Sequence, residues 1–207
     1  SHDSAHKHVA GSAVYVDDIP TTDDTLVVLI GQSPHAHARI SKMDLSAVAA
    51  ADGVMAVLTH ADIPGVNDCS PVYGDDPVLA EGEVGYVGQA VFAIVAETMR
   101  AARDALPLAN VSYETLPAIL TIDEAMKAGS WLGPSVTMES GSPDTALAGA
   151  QHTLSGRIEI GGQEHFYLEG QAALAIPGED RDMTLHCSTQ HPSEIQHKVA
   201  DCLGLSN

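Results

Sequence analysis

The run Cys187-Ser188-Thr189-Gln190-His191-Pro192 gathers a thiol, two hydroxyls, an amide and an imidazole in one polar loop, delivered by an apolar segment and followed directly by a helical pattern. Loops held by regular elements are where binding side chains collect. Gln190 is the candidate of most interest. Its amide can donate to a bound group without adding charge, so it polarises that group while leaving protonation to others. A second segment, Gly161-Gly162-Gln163-Glu164-His165-Phe166-Tyr167-Leu168-Glu169, sets polar groups between a glycine pair and an apolar stretch. The glycines permit close backbone approach, and Gln163, Glu164, His165 and Glu169 can form a network that orients a neighbouring loop. Read on residue type alone, Gln190 is a solvated side chain. The second segment is then structural, with Phe166 and Leu168 packed and the carboxylates hydrogen-bonded.

Other chemistry-bearing residues lack the spacing that a site needs. His2, His6 and His8 lie near one end of the chain and read as a disordered polar segment. His35 and His37 alternate as on one exposed strand face, but neither group has cysteine or carboxylate partners at metal-ligand spacing. Cys69, Cys187 and Cys202 are too far apart for a zinc or cluster motif and read as free, partly buried thiols. The carboxylates Glu97, Asp104, Glu114, Asp123 and Glu124 form no recognisable acid–base pair and fit a solvated acidic face. No nucleophile-elbow, zinc-protease, P-loop or dinucleotide fingerprint occurs, so hydrolase, protease and Rossmann readings have no support.

The elements that must carry these residues are legible from the apolar pattern. Leu26 to Ile30, Val54 to Leu58 and Ala90 to Ala96 are short continuous apolar runs that suit buried strands. Ser46 is placed to cap a short helix over Ala47 to Ala51. Thr98 opens an Ala/Arg-rich helix to about Leu106, where Pro107 stops it. Val111 to Tyr113 resumes extended structure. Asp62 to Glu83, rich in Pro, Gly and Asp, reads as a long surface excursion. Thr121 and Glu124 have capping-box spacing for a helix fading at Gly129, and 133–149 reads as a linker. Gln151 to Ile160 and Gln171 to Ile176 suit strands. Ile195, Val199, Cys202 and Leu203 recur at helical spacing, with Gly204 as the stop. Strands interleaved with helices make the first 120 residues α+β or mixed α/β.

Composition bounds the class. With 207 residues the chain can bury a core without disulfides or metal. A formal charge of −19 argues against nucleic acid and anionic membrane surfaces as partners. No apolar run is long enough to span a bilayer and no secretory signal pattern opens the chain, so a cytoplasmic location is expected.

Both polar segments resemble the molybdopterin-binding subunit of xanthine dehydrogenases, in the molybdenum hydroxylase family that also includes aldehyde oxidases. His8-Val9-Ala10-Gly11-Ser12-Ala13-Val14-Tyr15-Val16-Asp17-Asp18-Ile19-Pro20, Ser33-Pro34-His35-Ala36-His37-Ala38-Arg39-Ile40 and Tyr86-Val87-Gly88-Gln89-Ala90-Val91 resemble it too, in the same order along the chain. The resemblance implies an α+β fold: an α/β hammerhead domain over 1–120, a linker with a short helix over 121–150, and the start of a molybdopterin-binding domain over 151–207. It places the family's molybdenum-facing glutamine at Gln190, with Gln163, Glu164, His165 and Glu169 as support around it and no protein ligand on the metal. It implies hydroxylation of hypoxanthine or xanthine with oxygen from water. Electrons would leave through iron–sulfur clusters and FAD on a partner subunit to NAD.

By the same resemblance, further cofactor contacts and the catalytic base follow Asn207 in a longer subunit. This chain is then an N-terminal part of that subunit, with no cofactor bound when alone and no activity by itself. An aldehyde oxidase-type hydroxylase and a non-catalytic assembly or binding module are the alternatives.

Overall fold

Residues 3–180 and 182–206 are described by the computed structural model, and they fall into two compact units, Ser1–Ala118 with Glu169–Asn207, and Ile119–Leu168. The first opens with helix α1 (Ala5–Ala10), which carries His6 and His8 and ends at Gly11 in the left-handed region. The His8 ring lies 5.9 Å from that of Tyr15. The amino-terminal histidines therefore belong to an ordered turn of helix, not to the disordered segment expected, while His2 lies outside the described residues.

Strand β1 (Val27–Gln32) is followed by β2 (Ala38–Asp44), helix α2 (Ser46–Ala49), β3 (Val54–Leu58), the short β4 (Glu83–Val84), β5 (Ala90–Ala96), helix α3 (Met99–Ala105) and β6 (Asn110–Thr115). They build two antiparallel sheets, ordered β1-β5-β3 and β4-β2-β6. A strand paired on both edges and covered on its faces reads as a continuous apolar run, and β5 is such a strand, with Val91, Phe92, Ala93, Ile94 and Ala96 all buried. Val48, Val84, Ala102 and Ala105 close the core around it. Each large aliphatic side chain here contributes roughly 1.5–3 kcal/mol by leaving water. Gly31 of β1 sits opposite Phe92 of β5, and a Cβ there would overlap the Phe92 ring, so glycine is what lets that ring bury.

Local signals explain the helices and two departures from expectation. Thr98 caps α3, its Oγ1 accepting the Ala101 N–H at 3.1 Å. The α-helix ends at Ala105, just ahead of Pro107 as expected, and Pro107 itself sits inside a tight 3-10 turn, Leu106–Leu108, that carries α3 into β6. Ser46 is not a cap. It is the first residue of α2, and its N–H and hydroxyl both donate to Asp44 Oδ1, at 3.2 and 2.7 Å. His35 and His37 lie in the turn before β2, not on an exposed strand face, and both are half-buried.

The excursion between β3 and β4 is more tightly held than a surface loop. The Asn67 amide donates to the Leu79 carbonyl at 2.8 Å and accepts the Leu79 N–H at 3.0 Å, and Ser70, Leu79 and Ala80 are buried.

The second unit holds helix α4 (Ile122–Ala128), with its capping box formed by Thr121 and Glu124 and Gly129 as the left-handed stop. Helix α5 (Pro143–Ala148) interrupts the expected linker, with proline preset at its first turn. No described residue from Ile119 to Leu168 is buried. Gln151 to Ile160, expected as a strand, pairs with no described strand. Phe166 and Leu168, expected to pack, are exposed at 93% and 92%.

The chain re-enters the first unit with the hairpin β7 (Ala173–Pro177) and β8 (Met183–Cys187), then helix α6 (Pro192–Leu203), which ends at Gly204 with φ 65°. The carboxyl end of α6 docks on the excursion. The Gly65 and Val66 N–H groups donate to the Cys202 and Asp201 carbonyls, both at 2.9 Å, and Lys198 Nζ lies 3.2 Å from Asp68 Oδ2. Both charged side chains of that pair are mostly covered.

Candidate functional site

Four hydrogen bonds, three of them through hydroxyls, fix the loop between β8 and α6. The Ser188 N–H donates to the Ala172 carbonyl at 3.1 Å. Its hydroxyl donates to the Gly170 carbonyl at 3.1 Å and accepts the Ala172 N–H at 3.2 Å. Thr189 Oγ1 then accepts the His191 N–H at 3.0 Å, closing a hydroxyl turn around Gln190. Pro192 starts α6 with its φ preset, and the His191 carbonyl takes the first helical N–H, from Ile195. Gln190 is thus exposed at the apex of a braced turn, and among the described residues its amide has no hydrogen-bond partner. The arrangement presents an uncharged donor whose backbone is already ordered, so the entropy lost when it engages a ligand is that of the side chain alone.

Glu169 belongs to the same unit. It is half-buried, and its Oε1 accepts the Val16 N–H at 3.0 Å, tying the start of the hairpin region to the amino-terminal segment. Gln163, Glu164 and His165 lie in the second unit and are exposed. Glu164 Oε1 accepts the His165 N–H at 3.0 Å. A Cβ built at Gly161 or Gly162 meets nothing within 4 Å, so among the described residues no close backbone approach uses the glycine pair. The roles of Ser188 and Thr189 escaped the sequence reading, although a Ser-Thr pair two residues ahead of a helix start is a signal for such a turn.

A second constellation is built around His37. Its Nδ1 lies 2.7 Å from the Pro117 carbonyl and its Nε2 2.8 Å from Glu83 Oε1. Both partners only accept, so both ring nitrogens donate, which defines an imidazolium. The Pro117 carbonyl first, and the Glu83 carboxylate second, raise its pKa above the ordinary histidine value. His35 stacks on Tyr113 with ring centroids 4.9 Å apart. The pair is a clamp on the end of β6, and its partners lie too far away in sequence to be foreseen.

Cys69 is exposed and Cys187 and Cys202 half-buried, all free, and burial pushes the Cys69 and Cys202 pKa values up. Among the described residues no group of three or more His, Cys, Asp or Glu side chains is placed to hold a metal ion. None of the described helices is long and apolar enough to cross a membrane.

Comparison with known proteins gives this geometry its context. Residues 10–117 match the family model for the aldehyde oxidase and xanthine dehydrogenase a/b hammerhead domain, and residues 129–207 match that for the molybdopterin cofactor-binding domain. The cofactor-domain match contains Gln163, Glu164, His165, Glu169 and Gln190. Xanthine dehydrogenase of Drosophila subobscura is 42% identical over 207 residues, and aldehyde oxidase 4 of Mus musculus 37% identical over 206. Each alignment covers 99% of this chain and 15% of the relative, so the chain spans about one seventh of the length of these curated proteins. Among solved structures, the aldehyde oxidoreductase of Desulfovibrio gigas superposes with a TM-score of 0.83 at 25% identity, over 99% of this chain and 25% of that one. A hammerhead domain followed by the start of a molybdopterin-binding domain, in this order and along the whole chain, places the protein in the aldehyde oxidase and xanthine dehydrogenase family of molybdenum hydroxylases.

Proposed function

We propose that this chain is a part of the molybdenum-binding subunit of a xanthine dehydrogenase, which hydroxylates hypoxanthine and xanthine with oxygen taken from water. Electrons leave through iron–sulfur clusters and FAD on a partner subunit to NAD. The observation that carries the reading is the cofactor-domain match over 129–207, which includes a braced loop with an unpartnered amide at its apex.

A molybdenum–pterin cofactor, when bound, supplies a two-electron centre that transfers water-derived oxygen to an electron-poor carbon. Gln190 fits such a group: a neutral amide donates to an anionic oxygen without altering the charge of the site. Ser188 and Thr189 hold the backbone that carries this donor, so the position of its Cα is set before the ligand arrives. Glu169 anchors the segment to which Ser188 is bonded, and Gln163, Glu164 and His165 supply further polar groups. The chain alone turns over no substrate, because a partial site loses most of its effect when the opposing groups are missing.

The test compares wild type with Gln190→Ala in the full-length subunit reconstituted with its redox partner. Molybdenum and pterin content are read alongside xanthine-dependent NAD reduction. Turnover lost with metal retained supports Gln190 as a cofactor-facing donor, and unchanged turnover refutes it. The similar identity to an aldehyde oxidase, 37% against 42%, favours one second reading, an aldehyde oxidase. Aldehyde turnover without xanthine turnover would replace the first reading with this one.

A further inference from the structure

Two of the three cysteines meet at the joint between the excursion and α6. The backbones there are fixed against each other by the Gly65 and Val66 N–H groups, which donate to the Cys202 and Asp201 carbonyls at 2.9 Å each. Lys198 stands one turn before Cys202 on the same helix face. Its Nζ lies 3.2 Å from Oδ2 of Asp68, the residue before Cys69. The Asp68 backbone amide faces the Cys202 thiol. Cys69 is the next residue, and its thiol lies close enough that a thiolate at Cys202 raises its pKa.

The loop that carries Cys69 is braced. The Cys69 N–H donates to the Asp76 carbonyl at 2.8 Å. Buried Ser70 accepts the Gly74 N–H at 2.6 Å through its hydroxyl, which donates to Asp68 Oδ2 at 3.1 Å. Both thiols thus stand on ordered backbone, so bonding them costs little further ordering. Their surroundings differ. Cys69 is exposed, and its Sγ donates to the Asp76 carbonyl at 3.2 Å. Burial first, then the Asp76 and Asp68 carboxylates, hold its pKa up, and the neighbouring Tyr86 brings no positive charge. Cys202 is half-buried. Burial and the Asp201 carboxylate raise its pKa, while the Lys198 ammonium and the Asp68 amide favour its thiolate. The exposed thiol is the one an oxidant meets first, and the covered thiol is the one with a cation beside it.

We propose that Cys69 and Cys202 form an oxidative modification site, at which hydrogen peroxide converts the two thiols to a disulfide that staples α6 to the excursion. The Cys69 thiolate attacks one peroxide oxygen and the O–O bond breaks. Cys69 becomes a sulfenic acid, and the departing hydroxide takes up a proton to leave as water. The Cys202 thiolate then attacks the sulfenic sulfur. The S–S bond forms, the S–O bond breaks, and a second hydroxide leaves as water. Overall the two thiols give up two electrons and two protons, and the peroxide is reduced to two waters. The new bond joins residue 69 to residue 202, so the second unit lies within the loop it closes.

The test treats the intact subunit with hydrogen peroxide, unfolds it in an alkylating reagent and digests it without reductant. A peptide pair linked through Cys69 and Cys202 should appear, lighter than the sum of its halves by two hydrogens and split by dithiothreitol, with Cys187 still alkylated. Its rate of formation should rise about tenfold per pH unit below the Cys69 pKa, as the thiolate fraction does. In Cys202→Ser the sulfenic acid at Cys69 has no partner thiol and should be trapped by dimedone. In the oxidised wild type, amide exchange at Gly65 and Val66 should slow at least about tenfold, because the joint can no longer open locally. Cys69 and Cys202 both alkylated after the oxidant, a link from either to Cys187 or to another chain, or unchanged exchange at Gly65 and Val66 would overturn the proposal. None of these readouts involves turnover, so they stand or fall apart from the functional reading.

Discussion

Replacing Gly65 by alanine should detach the carboxyl end of α6 from the excursion. A Cβ at Gly65 would overlap the Asp201 carbonyl oxygen and lie 2.7 Å from Gly204 N and 3.0 Å from Cys202 O. All three are backbone atoms, so no side-chain rotation relieves the contact. The helix end must move, and the bonds from Gly65 N–H and Val66 N–H, at 2.9 Å each, lengthen with it. Two backbone hydrogen bonds at about 1 kcal/mol each, with overpacking at about 1–3 kcal/mol, give a destabilisation of roughly 3–5 kcal/mol. With a urea dependence of about 2 kcal/mol/M, the unfolding midpoint falls by roughly 1.5–2.5 M. Gly85→Ala is the matched control, since a Cβ there meets only Gln89 Oε1 at 3.9 Å. A Gly65→Ala midpoint within about 0.25 M of wild type, below roughly 0.5 kcal/mol, would refute the account of this joint.

The His37 clamp makes stability depend on pH. Its folded pKa is raised, so its contribution is fully present below the unfolded value near 6.5 and is lost as pH rises through the folded value. The gap in urea midpoint between wild type and His37→Ala should therefore be wide at acid pH and close above that range; a gap that widens with pH contradicts the imidazolium. Thr98→Ala removes the cap of α3 and should cost about 1 kcal/mol in equilibrium unfolding, with Thr98→Ser restoring most of it. Ser188→Ala leaves the Ala172 N–H without its hydroxyl partner and should cost about 1–2 kcal/mol, read as faster amide exchange at Ala172 and His191.

The strands that were legible are those whose environment is simple. β5 runs over the expected residues because a buried strand between two neighbours needs only an unbroken apolar run, and β3, at the edge of the same sheet, was legible from its own apolar run directly after Asp52-Gly53. The helix signals at Thr98, at Thr121 with Glu124 and at Gly204 were readable because each acts within a few residues of itself. β2 was not legible: its register shifts between Ile40 and Lys42, and that irregularity breaks the alternation a strand would show. α5 was hidden in a stretch dense in turn-forming residues. The segment 151–160 shows the converse, a strand-like pattern that pairs with no described strand. At the candidate site the polar loop itself was legible, yet its bracing by Ser188 depends on a hairpin partner sixteen residues earlier. The joint between the excursion and α6 was invisible, because Asp68 and Lys198 meet across 130 residues of sequence.

That same joint has a consequence during synthesis. At about 5–20 residues per second, the ribosome releases Lys198 on the order of ten seconds after Asp68. For that interval Asp68 has no cation, and the Gly65 and Val66 N–H groups have no helix to bond. The two sheets can form meanwhile, since their strands all precede residue 116. The first unit is therefore assembled in two instalments, with Ile119–Leu168 emerging between them. A nascent chain paused within that interval would expose the excursion to proteases and chaperones, and its protection would appear abruptly once α6 clears the exit tunnel.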